Sequence, residues 1–376
     1  MSRRVVVVGG GIAGASTAFA LARRGVEVAV VDDGRVGSAT AASAGIVAPW
    51  VSAAGGAFYE LYAAGAAFYP EVLSLLAEVG ITRTDYRRTG ALLVDADPVR
   101  LGAAQQRVTA RARSAGPVAG EVRRLGGDEV RALVPPLAPN LEGVLASGGA
   151  RVDGRTMCAA LLAGAARHGA EVVPGDARLV SRSAGAPMVE VDGRRVEADH
   201  VVIATGAWVN EILGPLGMHL AVAPQRGQIT QLRLDGVDTS GWPSVHPLAR
   251  HYLVAFDDSR VAVGATRETG SGFDPRVTAA GLRQVLDDAL RLAPGLGDAT
   301  IIETRVGLRP LADRELPIIG PMPGCGTVHV VTGFGAGGLT LGPLVGDAVA
   351  RTILTGSPPA EVAPFRPAPD DVVAAP

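Results

Sequence analysis

Residues Val5–Asp33 read VVVVGGGIAGASTAFALARRGVEVAVVDD, a pattern typical of a strand, a glycine-rich turn, a helix and a second strand. The run Val5–Val8 is apolar throughout, as expected of a parallel strand that is buried on both faces. Small and apolar residues after the turn favour a helix that packs on this strand, and Gly25 is suited to end it. The segment therefore predicts a parallel α/β sheet.

The three glycines of the turn each meet a different steric demand. Gly9 allows a tight turn, Gly11 leaves room for a pyrophosphate beside the backbone, and Gly14 allows close helix–strand packing. The free N–H groups at the start of the helix favour an anion. Asp32 ends the second strand, where a carboxylate accepts hydrogen bonds from ribose hydroxyls. This unit predicts a dinucleotide site formed by Gly9, Gly11, Ile12, Ala13, Gly14, Asp32 and Asp33.

Two other interpretations of this segment are weaker. A secretory signal peptide would also place Arg3 and Arg4 before an apolar run that ends in small residues. Glycines interrupt that run, however, and a matching strand follows it. A purely structural turn explains the glycines but leaves the carboxylate at the end of the second strand without a role.

The composition excludes several classes of chemistry. The chain has 376 residues, of which 48% are hydrophobic, so we expect two domains. Its net charge of −2 gives no reason to expect a nucleic-acid partner. All 35 basic residues are arginine, which excludes a lysine Schiff base and a Walker-type phosphate lysine. The two cysteines and six histidines lack metal-ligand spacing, so we expect no metal site.

The rest of the chain alternates between helix and strand patterns. Asp153 is a candidate N-cap for a helix that runs from Arg155 to His168. Later segments predict strands at Ala170–Val173 and Val201–Ile203, a small ribbon of Arg178–Ser181, Met188–Val191 and Arg195–Glu197, a strand-rich block at Ala221–Glu268 with a hairpin turn at Asp257–Ser259, a helix at Thr278–Leu292, a strand at Thr327–Thr332 and a last helix at Pro343–Leu354. We expect no transmembrane segment, because the longest uncharged stretch contains proline and several glycines.

The order of these motifs resembles the flavin amine oxidoreductases of the D-amino-acid oxidase family, which include glycine oxidases, D-amino-acid dehydrogenases and sarcosine oxidases. The resemblance rests on the first unit, Ala-Thr-Gly at Ala204–Gly206, the sheet-rich insertion, Gly-Leu-Arg-Pro at Gly307–Pro310, and the glycine-rich loop before the last helix. It implies an α/β fold: a Rossmann-like FAD-binding domain with an inserted, sheet-rich α+β substrate domain. The FAD-binding domain would comprise residues 1–80, 146–215 and 302–357, the substrate domain residues 81–145 and 216–301, and a flexible tail residues 358–376.

The resemblance also implies the residues that hold FAD. The segment TAASAGI would pass beneath the pyrophosphate and the flavin, and the glycine-rich loop would donate hydrogen bonds to the pyrimidine edge. Gly307 stands where sarcosine oxidases attach flavin through cysteine, so we expect FAD to be bound non-covalently. Beyond the first unit, the implied cofactor residues are Thr40, Ser43, Gly45, Ile46, Arg178, Thr205, Gly206, Trp208, Arg309, Gly335, Ala336, Gly337, Gly338, Leu339 and Thr340.

Arg309 and Tyr252 are the implied catalytic residues. In the family, the arginine of the Gly-Leu-Arg-Pro segment forks onto the substrate carboxylate, for which a guanidinium is well suited. The alternative is a salt bridge from Arg309 to Asp313 or Glu315. Tyr252 matches a tyrosine that contacts substrate in glycine oxidases, and its alternative is a packed strand aromatic.

The implied reaction is oxidative deamination of a small D-amino acid. Hydride transfer from the α-carbon to FAD gives an imino acid, and hydrolysis yields a 2-oxo acid and ammonia. One alternative is an N-methyl or cyclic amino-acid oxidase or dehydrogenase, also as a subunit of a complex; another is a flavin-binding subunit without turnover. The electron acceptor would be oxygen or a quinone or carrier. We expect a cytoplasmic protein, either free or peripheral to the inner face of the membrane, and leave oligomerisation open.

Overall fold

The computed structural model describes residues 3–180, 188–249 and 251–374 of the chain. Ser181, Arg250 and the last two residues of the predicted tail lie outside these ranges. The helices are α1 Ile12–Ala22, α2 Gly56–Glu78, α3 Pro98–Ala115, α4 Gly127–Leu133, α5 Gly154–Arg167, α6 Val209–Leu213, α7 Ala279–Leu292 and α8 Gly338–Thr355.

The strands are β1 Arg4–Val8, β2 Glu27–Asp32, β3 Ile46–Val47, β4 Arg87–Arg88, β5 Ala91–Asp95, β6 Val122–Leu125, β7 Glu142–Ala146, β8 Ala150–Arg151, β9 Glu171–Pro174, β10 Ala177–Val180, β11 Met188–Val191, β12 Arg194–Glu197, β13 His200–Ile203, β14 Met218–Leu220, β15 Val222–Arg233, β16 Ser244–Pro247, β17 Tyr252–Ala255, β18 Arg260–Gly264, β19 Glu268–Thr269, β20 Thr300–Ala312, β21 Ile318–Met322, β22 Cys325–Thr332 and β23 Val372–Ala374. They form several sheets, of which two determine the architecture.

The first sheet is parallel except at one edge and has the strand order β21-β22-β13-β1-β2-β9. The predicted strand–helix–strand unit is confirmed, because β1 lies in parallel register between β2 and β13. Asp153 caps α5 as predicted, accepting hydrogen bonds from the N–H groups of Arg155 and Thr156. These pairings bring the carboxyl ends of β1, β2 and β13 to one edge, where parallel sheets bind ligands.

The two faces of this sheet are covered differently. Val5 and Val7 point into a core shared with α1, α2, α5 and α8. Val6 and Val8 point into a second core, shared with α6 and the antiparallel ribbon of β10, β11 and β12. Burial on both faces explains why β1 is apolar at every position rather than alternating.

The second sheet is mostly antiparallel and has the order β19-β15-β18-β17-β16-β5-β7-β6, with β20 paired along β15. Thr278 caps α7, which packs against β15 and β18. The predicted hairpin turn is confirmed between β17 and β18, where Asp258 and Ser259 both have positive φ, of 60° and 59°. The strand-rich block therefore forms one part of a second sheet, which β5, β6, β7 and β20 complete, and the division into two domains at the predicted boundaries stays a proposal.

Two predictions about the C-terminal part were wrong. The last helix begins at Gly338, five residues before Pro343, because a buried hydroxyl compensates for the N–H that proline lacks. The predicted flexible tail packs on the fold: Phe365 is buried, Arg314 bonds to Asp371, and β23 pairs with β14. Apolar residues among the prolines account for this packing.

Within the residues that the structure describes, none of the helices combines the length and the apolar character that crossing a bilayer requires.

Candidate active site

A cavity of about 570 Å³ runs from the carboxyl edge of the parallel sheet to the face of the second sheet. Its first end, here called the nucleotide end, is lined by the glycine turn, Asp32 and the segment Ser38–Ile46. Its second end, the substrate end, is lined by side chains of α2, β16, β17 and β20. One continuous cavity therefore joins the predicted cofactor residues to the predicted catalytic ones.

The turn after β1 is built without side chains because the backbone passes too close to its neighbours. Gly9 has φ +101°, and a Cβ there would lie 2.6 Å from Ala204 O. A Cβ on Gly14 would lie 1.8 Å from Gly9 O. Gly9 N donates to Val31 O at 2.8 Å and so ties the turn to β2. The turn and the start of α1 therefore line the cavity with main-chain atoms.

Asp32 and Thr40 hold the nucleotide end together. The Asp32 carboxylate accepts hydrogen bonds from Gly10 N and, at 2.7 Å, from Gly34 N. Gly11, the N-cap residue of α1, has no side chain that could cap the helix. Thr40 Oγ1 supplies the cap instead by accepting a hydrogen bond from Ile12 N at 3.0 Å. Ser43 Oγ donates to Thr40 O at 2.7 Å and fixes the segment behind it. The segment that resembles the family's TAASAGI motif thus lies directly against the first unit.

The nucleotide end fits FAD on two further observations. Thr205 Oγ1 is buried on the cavity wall and has no hydrogen-bond partner among the described residues. The backbone turn at Thr205–Gly206 and the start of α1 line the same space. A phosphate-rich ligand meets such an arrangement with hydrogen bonds rather than with charge.

Arg309 enters the substrate end from β20. Its Nη1 donates to Thr266 O at 3.1 Å rather than to Asp313 or Glu315, so the salt-bridge alternative does not hold. A Cβ on Gly227 of β15 would lie 2.4 Å from Arg309 Nη1. The guanidinium therefore lies flat over a strand that lacks a side chain at that position.

Tyr252 and Arg267 lie beside Arg309 on the cavity wall. Burial raises the pKa of the Tyr252 phenol, and the positive charges of Arg309 and Arg267 partly offset this effect. Both guanidinium groups are consequently near one phenol, which stays protonated at neutral pH. The substrate end carries two positive charges and a hydroxyl, a combination suited to carboxylate groups.

A network of partly buried side chains fixes the backbone that carries Arg267. Glu268 Oε2 accepts from Arg226 Nη2 at 2.7 Å, and Glu268 Oε1 accepts from Thr266 Oγ1 at 2.6 Å. Gln228 Nε2 donates to the same Oε1 at 2.8 Å. Because Thr266 O is also the acceptor for Arg309, this network holds both arginines in relation to each other.

Residues 4–352 match the family described as DAO, FAD-dependent oxidoreductase. The chain belongs to the DAO family of FAD-dependent oxidoreductases. It binds FAD non-covalently and acts on amino acids, in agreement with the resemblance seen in the sequence.

Three proteins illustrate how close the similarity is. The crystal structure of iminodiacetate oxidase from Chelativorans sp. BNC1 is 44% identical, has a TM-score of 0.93, and covers 97% of this chain and 99% of its own. An uncharacterised oxidoreductase of Bacillus subtilis is 40% identical over 96% of this chain and 98% of its own length. A glycine oxidase of Pseudomonas putida is 31% identical over 98% and 99%.

Most residues that the sequence predicts for the site line this DAO-family cavity. The exceptions are Gly14, Gly337, Thr340 and Arg178. Gly14 lies beneath the turn, and Thr340 lies behind Leu339, where its Oγ1 donates to Ile46 O at 3.0 Å. The Arg178 side chain is 73% exposed, and the cavity wall is formed instead by Gly175, Asp176 and Ala177. The predicted roles of the lining residues toward FAD remain proposals.

Sequence reasoning missed three side chains of the substrate end: Tyr62, His246 and Arg267. Burial lowers the pKa of His246 to about 4, so its imidazole is neutral at neutral pH. Its Nε2 lies 2.9 Å from Ser244 Oγ. The available signals were weak: a histidine and an arginine at the ends of short strands, and a tyrosine within an apolar helix.

Cys158 is the described cysteine that lines the cavity, and it lies at the nucleotide end. Its Sγ is 2.9 Å from Gly10 O, and burial raises the pKa of the thiol to about 12. A thiol with so high a pKa is a poor nucleophile, which agrees with non-covalent FAD.

Proposed function

We propose that the protein uses FAD to oxidise a small N-substituted amino acid that carries two carboxylates, a substrate of the iminodiacetate type. The observation that carries this proposal is that Arg309 and Arg267 both line the cavity and that both charges act on the Tyr252 phenol. A single carboxylate needs one guanidinium fork. A second guanidinium at the substrate end favours a second carboxylate.

The proposed roles follow from chemistry and position. Arg309 binds the carboxylate next to the carbon that is oxidised, and Arg267 binds the more distant one. Tyr252 donates its hydroxyl to a carboxylate oxygen, which its raised pKa allows at neutral pH. His246 stays neutral and adds no third charge. The cavity wall thereby orients the substrate without a general base.

Bound FAD supplies the two-electron acceptor for the reaction. The substrate loses a hydride equivalent from the carbon between its nitrogen and its carboxylate, and the amine proton is released, which leaves an imine. Water then breaks the carbon–nitrogen bond of the imine. Iminodiacetate yields glyoxylate and glycine by this route, and a primary amino acid yields a 2-oxo acid and ammonia.

The similarity to iminodiacetate oxidase, at 44% identity along nearly the whole chain, supports the secondary-amine proposal. Oxidation of glycine or of a small D-amino acid is the second candidate, favoured by the glycine oxidases among the relatives. Phe334 and Ala336, in the loop before α8, line the cavity without a charged group. This loop therefore offers a primary amine no charged partner.

A substrate panel tests the proposal. The purified protein is mixed anaerobically with iminodiacetate, sarcosine, glycine and D-alanine, and the loss of flavin absorbance is followed with time. We expect iminodiacetate to be fastest and to give glyoxylate and glycine as products. Faster bleaching by D-alanine or glycine, with ammonia as product, would establish the second candidate instead.

The electron acceptor needs a separate measurement. The chain has no lysine to place above a flavin, and we propose that oxygen reacts slowly and that a quinone or carrier is the faster acceptor. We expect dye reduction to exceed peroxide release in the same preparation. Peroxide formed in equal amount to product at the full turnover rate would contradict this.

A further inference from the structure

One face of α2 packs against the first turn of α8. Tyr62, Gly65 and Tyr69 are spaced three and four residues apart, so they share one side of the helix. A Cβ on Gly65 would lie 2.5 Å from Thr340 O, which means that the two helix backbones are in direct contact. The Tyr62 side chain lies beside Thr340. The first turn of α8 is therefore held from the α2 side at several points.

Tyr69 makes the contact that α8 itself cannot make. In a regular helix, Leu339 O would accept a hydrogen bond from the N–H four residues later, but that residue is Pro343. The Tyr69 hydroxyl donates to Leu339 O at 2.6 Å instead. Tyr69 is completely buried, and the Tyr86 ring stacks on it with centroids 5.0 Å apart. Its hydroxyl thus replaces a backbone donor.

The turn held in this way faces the cavity. Gly338 and Leu339 are both cavity-lining residues, and the preceding loop is tied down by Gly335 N, which donates to Pro310 O at 2.9 Å. Pro310 directly follows Arg309, so this turn lies beside the substrate end. The N-terminal amides of a helix stabilise negative charge only if they stay aligned toward it.

We propose that Tyr69 is a positioning residue that keeps the N-terminal amides of α8 aligned toward the cavity and thereby raises the electron affinity of bound FAD. The inference rests on the proposed use of this part of the cavity for the flavin. It does not depend on which amino acid is the substrate. Tyr69 acts through Leu339 and touches neither cofactor nor substrate.

The test compares Tyr69→Phe with the wild type as holoenzymes. The readout is the equilibrium with a redox dye such as phenosafranin during slow anaerobic reduction, which needs no amino-acid substrate. We expect the variant's equilibrium constant for reduction to fall about 3- to 10-fold, the range of helix-terminus effects. Tyr86→Phe removes the neighbouring hydroxyl and serves as the matched control, with no change expected.

A second variant restores the missing donor by another route. In Tyr69→Phe/Pro343→Ala, residue 343 regains an N–H that can bond to Leu339 O within the helix. We expect this double variant to return to within about twofold of the wild-type equilibrium. If Tyr69→Phe yields no folded protein, the double variant must recover the wild-type redox equilibrium as well as the fold, and a folded double variant with a lowered equilibrium constant overturns the proposal.

Two results would overturn the proposal. A Tyr69→Phe holoenzyme with the wild-type equilibrium, whatever its melting temperature, would make the hydroxyl purely structural. A shift that Pro343→Ala fails to reverse would mean that Leu339 O is not the atom through which Tyr69 acts. Failure of the substrate proposal would leave both measurements unchanged, because neither uses a substrate.

Discussion

The two ends of the cavity are built from different materials. The nucleotide end is lined largely by main chain, and its turn, the start of α1 and the Asp32 carboxylate all come from the single segment Gly9–Asp32. The substrate end consists of side chains that are far apart in sequence, among them Tyr62, Tyr252 and Arg309. A main-chain site binds a constant ligand by shape, whereas side chains allow selectivity to change by substitution.

The largest effect of a substitution is expected at the nucleotide end. Gly14→Val would place a side chain where a Cβ alone lies 1.8 Å from Gly9 O. We expect loss of bound FAD and a decrease of about 4 kcal/mol or more in the free energy of unfolding, because backbone atoms cannot move aside. The FAD-to-protein absorbance ratio and urea unfolding measure both effects.

The matched control is Gly102→Ala in α3, where nothing lies within 4 Å of an added Cβ. It should bind FAD normally and gain up to about 1 kcal/mol in stability from helix propensity. Normal FAD content in Gly14→Val would remove the claim that the nucleotide end is defined by backbone sterics.

A substitution at the substrate end should weaken substrate recognition without loss of bound FAD. Arg309→Lys retains the charge but loses the planar fork, so we expect kcat/KM to fall about 30- to 1000-fold, corresponding to about 2–4 kcal/mol. FAD content and melting temperature should stay near the wild-type values. Steady-state kinetics with iminodiacetate provide the measurement, and an unchanged kcat/KM would remove Arg309 from carboxylate recognition.

The same contrast explains what could be predicted from the sequence. The first unit is local, so Gly9, Gly14 and Asp32 were identified from their spacing alone, and the hairpin turn at Asp258 was found in the same way. Arg267 was missed because its place in the cavity depends on the pairing of β19 with β15, which no local pattern records. The predicted start of α8 was wrong because the donor that compensates for the missing N–H of Pro343 is the Tyr69 hydroxyl, which comes from another helix.

Acid sensitivity arises at the substrate end and also in the parallel sheet, away from the cavity. Burial lowers the pKa of His246, in the second sheet, and that of His329, in the parallel sheet, from 6.5 to about 4. Well above pH 6.5, both histidines are neutral in the folded and the unfolded chain and contribute nothing to the pH dependence of stability. As the pH falls from 6.5 to 4, only the unfolded chain takes up these protons, so stability decreases.

His329→Gln should remove one of these two contributions. We expect the wild type to lose about 2 kcal/mol per histidine between pH 7.5 and pH 5, and the variant to lose correspondingly less. Urea unfolding at the two pH values measures the difference, with the exposed His168→Gln as control. An equal pH dependence in His329→Gln and wild type would contradict this account.

The smallest effect is expected for a single side chain at the nucleotide end. Thr40→Val removes the hydroxyl that accepts from Ile12 N at 3.0 Å. We expect about 1 kcal/mol, or roughly a fivefold weaker FAD affinity, whereas Thr40→Ser should bind as the wild type does. Titration of apoprotein with FAD measures both, and equal affinities for all three would show that the cap is unimportant.

In the proposed function, Arg267 provides the second carboxylate site of the substrate end. The most direct test is the ratio of kcat/KM for iminodiacetate to kcat/KM for sarcosine, which has only one carboxylate, in the wild type and in Arg267→Gln. We predict that the substitution lowers this ratio about 10- to 100-fold, since only the dicarboxylate loses a charged partner. An unchanged ratio, with both substrates affected equally or not at all, would contradict the account.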